Sequence, residues 1–130
     1  MPFHTQLEVR LLNDRSVYPW MTLSPLVFES DLTGGSYTVP RYFRTDGASL
    51  PAALVALPVI GPMLFARYFG SGVWLGFRSG VLHDSLLRSG EVPKHLAHKI
   101  FREALYSEGY PEDLIETYYA AVVDYSKLKD

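Results

Sequence analysis

The period of the apolar residues changes once along this chain, and that change limits the fold more than any single motif does. Phe3, Leu7, Val9 and Leu11 alternate with His4, Gln6, Glu8 and Arg10, the two-residue period of a half-buried β-strand. Val17 to Leu23, Leu26 to Glu29 and Ser36 to Val39 are further short β-rich runs, with turn sequences at Asn13 to Ser16 and Asp31 to Gly35. Pro19 and Pro25 mark the Val17 and Leu26 runs as edge strands, because proline gives no ladder donor. From Gly72 onward the period lengthens to that of a helix. Gly72 to Arg88 is one helix candidate. A second begins at Pro93, carries Ala97, Ile100, Phe101, Ala104 and Leu105 on one face, and closes at Gly109. A third follows Pro111, with Glu112 and Asp113 at the positive end of its dipole and Leu114, Tyr118, Ala121, Val122 and Tyr125 as its apolar stripe.

Strands followed by helices, without βαβ alternation, predict an α+β fold in which short antiparallel strands pack with about three helices. A chain of 130 residues closes one hydrophobic core, so a single domain is expected over 1–130, mainly β over 1–45 and mainly helical over 50–130. The stretch from Leu50 to Phe77 carries one charge, Arg67, but Pro51, Pro58 and Pro62 and several glycines interrupt it. Broken helices survive in lipid only where other protein covers them, so buried core is the expectation there and membrane contact is not.

Charge and composition then narrow the function. Twelve basic against 14 acidic residues leave a net charge of −2 and a pI near 6.1; without a basic footprint, no nucleic-acid partner is expected. The absence of cysteine removes disulfides, thiolate metal sites and cysteine nucleophiles. The first residues have neither a basic start nor an apolar run, so a signal peptide is not expected.

Three features carry candidate chemistry. Phe43-Arg44-Thr45-Asp46-Gly47-Ala48-Ser49-Leu50-Pro51 is a strand-to-helix junction, with Asp46-Gly47 as a turn pair and Ser49 before Pro51 as a helix start. The plain alternative is that Asp46 and Ser49 only satisfy backbone amides. The second feature is His83-Asp84. Gly72, Gly76, Gly80, Asp84 and Arg88 are spaced four apart, which on a helix makes a row without side chains that ends in a carboxylate. Several glycines in one row suggest a close backbone neighbour, and the Asp46 loop, with Thr45, Gly47 and Ser49, is the expected visitor. The plain alternative for Asp84 is an ion pair with Arg88 one turn away.

His98 is the third feature. It falls at the edge of the second helix's apolar stripe and can face a neighbouring helix, whereas His95 points outward. His83, Asp84 and His98 together would offer nitrogen and oxygen ligands to a divalent metal such as zinc or manganese, and the plain alternative is a hydrogen-bonded imidazole.

Taken in order, the junction from Val39-Pro40 to Leu50-Pro51, then Leu82-His83-Asp84-Ser85-Leu86, then Ala97 to Leu105 with Gly109, resembles the signature of a family of small tailed-phage and prophage proteins of unknown function. The resemblance spans roughly residues 39 to 109. It implies a phage or prophage origin, a single α+β domain, and a polar site built from Asp46, His83 and Asp84. His98 departs from it, since that family usually has aspartate at this position.

Two readings of function remain. In one, the polar cluster only locks a loop onto a helix, and the protein is a phage accessory factor that meets a phage or host protein. Such a factor would work in the host cytoplasm or on the virion, with Tyr18, Trp20, Tyr42 and Tyr119 as candidate anchors. In the other, a metal on His83, Asp84 and His98 polarises water while Asp46 and Asp84 serve catalysis, giving a metal-dependent hydrolase. The helical phosphohydrolases that use an adjacent His-Asp pair are a poor fit, because the first third of this chain is β-rich.

Overall fold

The computed structural model describes residues 2–12, 20–45 and 77–129. Asp46, Gly47, Ser49, Gly72, Gly76, Tyr18 and the apolar stretch up to residue 76 lie outside the described residues, as does the side chain of Tyr125. Five short strands come first: β1 (Val9–Leu11), β2 (Trp20–Thr22), β3 (Leu26–Glu29), β4 (Ser36–Val39) and β5 (Arg44–Thr45). Three helices follow, α1 (Phe77–Ser89), α2 (Lys94–Ser107) and α3 (Glu112–Lys129). The arrangement is α+β, with the strands antiparallel throughout.

The strands form two small sheets, one in the order β1-β2-β5 and the other a β3-β4 pair. Phe3 bridges to Phe28, their rings 4.8 Å apart, so residues next to the chain start flank β3 on its other side. Neither β2 nor β3 is therefore the edge strand that its proline suggested. Pro25 stands before β3 rather than within it, and no ladder donor is lost there; Pro19 lies outside the described residues. The Phe3–Leu11 alternation is realised only in part: Phe3 is buried, Leu7 and Val9 are half-buried, and Leu11 is 61% exposed.

Helix α2 is the centre of the packing. Its Ala97, Ile100 and Ala104 join Leu26, Phe28, Tyr37 and Val39 from the β3-β4 pair and Val81, Leu82 and Leu86 from α1. Its Phe101 and Leu105 turn the other way, onto Leu114, Ile115, Tyr118 and Val122 of α3. Full burial of side chains such as Phe28 and Leu26 contributes about 1.5–3 kcal/mol each. Pro93 precedes α2 with an extended backbone, and Gly109 follows it with φ of 84°, a left-handed stop that a side chain would resist. Arg78 closes the far end of this core: its Nε donates to Glu108 Oε1 at 2.9 Å and its guanidinium covers the Phe3 ring at 4.3 Å. Among the described residues, no helix is long and apolar enough to cross a membrane.

Candidate functional site

Where β5 meets α1, three consecutive residues of the incoming chain are each held by one i, i+4 pair of the helix. Thr45, fully buried and paired across the sheet with Trp20, donates its Oγ1 hydrogen to Asp84 Oδ2 at 2.8 Å. Arg88 donates a guanidinium hydrogen to the carbonyl oxygen of Arg44 and lies 4.1 Å above the ring of Phe43. Its Nε is 3.3 Å from Asp84 Oδ1. The carboxylate thus bridges a threonine hydroxyl on one side and a guanidinium on the other, and the pair fixes the chain at the residue just before Asp46. An open hollow of about 300 Å³ lies alongside, lined in part by Thr38, Pro40, Phe43, Ser85 and Arg88.

The approach to this clamp is set by Thr22. Its Oγ1 donates to Pro40 O at 2.7 Å and accepts from Phe43 N at 2.9 Å, while its backbone accepts from Tyr42 N and donates to Phe43 O. One buried threonine therefore shapes the whole Pro40–Phe43 turn.

His83 and His98 meet behind the clamp. Both are buried, 3% and 6% exposed, and His83 Nε2 lies 2.8 Å from His98 Nδ1. The His83 ring also packs on Phe101 at 4.8 Å between centroids. Burial first, and the facing His98 second, hold the His83 imidazole down to about 3, so it is neutral at ordinary pH. Which of the two facing nitrogens donates is set by the tautomers of the rings. Two nitrogens bound to one tetrahedral zinc would stand about 3.3 Å apart; these stand closer, at hydrogen-bond distance. Among the described residues, no three His, Asp or Glu side chains converge as a metal cage would require.

The structure thus brings Thr45 to Asp84 and His83 to His98, as two adjoining clusters. His95 is exposed, as its helical position predicted. Gly80 is buried in α1; Asp46, Gly47, Ser49 and Gly76, the rest of the expected loop and groove, lie outside the described residues. Of the expected anchors, Tyr42 is 57% exposed, whereas Trp20 and Tyr119 are half-buried.

Sequence reasoning missed Glu103. From the middle of α2 its carboxylate accepts from Ser30 Oγ at 2.6 Å, Asp31 N at 2.8 Å and Leu32 N at 3.2 Å, pinning the β3–β4 turn to the helix. The signal was absent by construction: a glutamate beside the apolar stripe of a helix reads as solvated, and its partners lie some seventy residues away.

A family model described as "Protein of unknown function (DUF1353)" matches residues 20–122. No curated protein and no solved structure matches the chain.

Proposed function

We propose that this chain, which belongs to the DUF1353 family of proteins of unknown function, is a phage or prophage accessory protein that acts by contact with a phage or host protein, in the host cytoplasm or on the virion. Its polar cluster serves as an internal latch. The observation that carries this reading is the direction of the polar groups: Asp84 is engaged by Thr45 and Arg88, and the nearest nitrogens of His83 and His98 are spent on each other. Groups arranged in this way stabilise a fold by satisfying one another.

The second reading, a metal-dependent hydrolase using Asp46, His83, Asp84 and His98, draws support from one observation. The two histidines do face each other across α1 and α2. For a shared metal they would have to move apart, and Asp84 would have to leave Thr45.

A double-mutant cycle on Thr45→Val and Asp84→Asn tests the latch. Each single change removes one partner of a largely buried bond and is expected to cost about 1–2 kcal/mol. The double variant is expected to lose little more than the worse single, a coupling of about 1 kcal/mol. Additive losses would mean that the two side chains do not support one another in solution.

A further inference from the structure

The outer edge of β4 is open for pairing. Val27 O accepts from His4 N and Glu29 N donates to Pro2 O, so Val27 and Glu29 turn their backbone groups toward the chain start. Leu26 and Phe28 therefore exchange ladder bonds with Val39 and Tyr37, in step with the Ser30 N to Gly35 O bond at the turn. Backbone groups alternate along a strand, which leaves the amides and carbonyls of Ser36 and Thr38 pointing out from the far side of β4. Nothing among the described residues pairs with them. Native edges are blunted by charge, proline or a bulge, yet Ser36-Tyr37-Thr38-Val39 carries no charge and no proline.

This edge borders the hollow beside the clamp. Tyr37 and Val39 turn their side chains into the core shared with α1 and α2, so Thr38 projects from the opposite face and is exposed. A hollow lined by Thr38 and also by Ser85 and Ser89 of α1 must then open on the edge of β4, since β3 holds the other edge. Ser85 and Ser89, one helical turn apart, form its far wall, and Pro40 and Phe43 line it as well. Ser85 is only 7% exposed, and its hydroxyl has no hydrogen-bond partner among the described residues. Buried hydroxyls are normally bonded, so this one is available to a ligand atom. Glu91 lines the same hollow, is exposed, and forms no ion pair among the described residues.

We propose that the slot between β4 and α1 takes an extended, basic segment of a partner protein, added to the sheet as a further strand. Its main chain bonds to Ser36 and Thr38, and alternate side chains fall on the helix side, where aliphatic ones cover Pro40 and Phe43. The helix wall selects this occupant: β4 of a second copy would bring its own sheet and helix against α1, whereas a single strand needs only about 4.8 Å beside β4. Glu91, in a chain of net charge −2, calls for lysine or arginine in the segment. The inference rests on the accessory-protein reading above and gives it a mode of contact.

The test is amide hydrogen exchange and fluorescence anisotropy on the full chain, with a labelled peptide of about eight residues in which valine and lysine alternate. In the free chain the Ser36 and Thr38 amides should exchange quickly, and the peptide should slow both. Methylating the peptide nitrogens along the edge that meets β4 is expected to weaken binding about tenfold or more. Thr38→Pro, which removes an outward donor, should weaken it similarly, and Glu91→Lys several-fold. The methylated peptide decides the question even where Thr38→Pro does not fold. Amides already protected in the free chain, absent peptide binding, or equal binding of the methylated peptide would overturn the proposal. Equal binding of a valine–glutamate peptide would overturn the basic occupant, and a dimer in sedimentation that Thr38→Pro abolishes would overturn it in favour of a second copy. The latch is read separately, by the stability cycle on Thr45 and Asp84, so either idea can fail while the other stands.

Discussion

Lowering the pH from 7 to 5 should cost this fold about 2 kcal/mol through His83 alone. In the folded chain burial and the facing His98 hold that imidazole down to about 3, against an ordinary value of 6.5. The unfolded chain leaves it free to take a proton below that ordinary value, so the depressed folded value gives a definite sign. The contribution is complete above about 6.5 and is lost progressively as the pH falls toward 3. Each pH unit inside that window removes about 1.36 kcal/mol, and one and a half units give about 2 kcal/mol. Folded domains have about 5–15 kcal/mol of stability in all, so the loss is easily measured. The assay is urea denaturation at pH 7 and pH 5 at fixed ionic strength, on the wild type and on His83→Leu, which keeps an apolar side chain against Phe101. The variant is less stable at both pH values, because His98 loses its partner, but its additional loss on acidification should be smaller than that of the wild type by about 2 kcal/mol. Equal acid losses in the two proteins would refute the argument, since His83 would then be protonating in the folded state as it does in the unfolded one.

Two further substitutions test the packing around the site. Glu103→Ala strands the Ser30 hydroxyl and the Asp31 and Leu32 amides, and is expected to cost about 1–3 kcal/mol, with faster hydrogen exchange in the β3–β4 turn; Glu103→Gln, which keeps an acceptor, should lose less. Phe28→Ala opens a cavity between the β3-β4 pair and α1 and should cost about 3–5 kcal/mol in chemical denaturation.

What the sequence made legible was local. The change of period gave the α+β order, and the four-residue spacing of Asp84 and Arg88 gave the ion pair that the structure contains. The position of His98 at the edge of its stripe placed it toward a neighbouring helix, where it meets His83. Pro25 misled, because a residue that forbids a ladder bond within a strand costs nothing one position before it. The loop containing Thr45 was the expected neighbour of the row that ends in Asp84, but the individual bonds were not legible: Thr45 to Asp84 and Glu103 to Ser30 span long stretches of chain, and no periodicity encodes which side chains bond between remote segments. Tyr42 was identified as an anchor by its chemistry alone; its left-handed backbone depends on Thr22, twenty residues earlier.

Whether the polar cluster is a latch or a metal centre is decided most directly by melting chelator-treated protein alone and with zinc, manganese or magnesium added in turn. A metal held by the folded chain and present at about 100 times its dissociation constant would add about 2.7 kcal/mol of stability. The latch account predicts the same melting temperature in every sample, because His83 and His98 already satisfy each other and Asp84 is engaged by Thr45 and Arg88. A rise with one metal, reversed by chelator, weakened at low pH where imidazoles protonate, and abolished in both His83→Gln and His98→Gln, would contradict it.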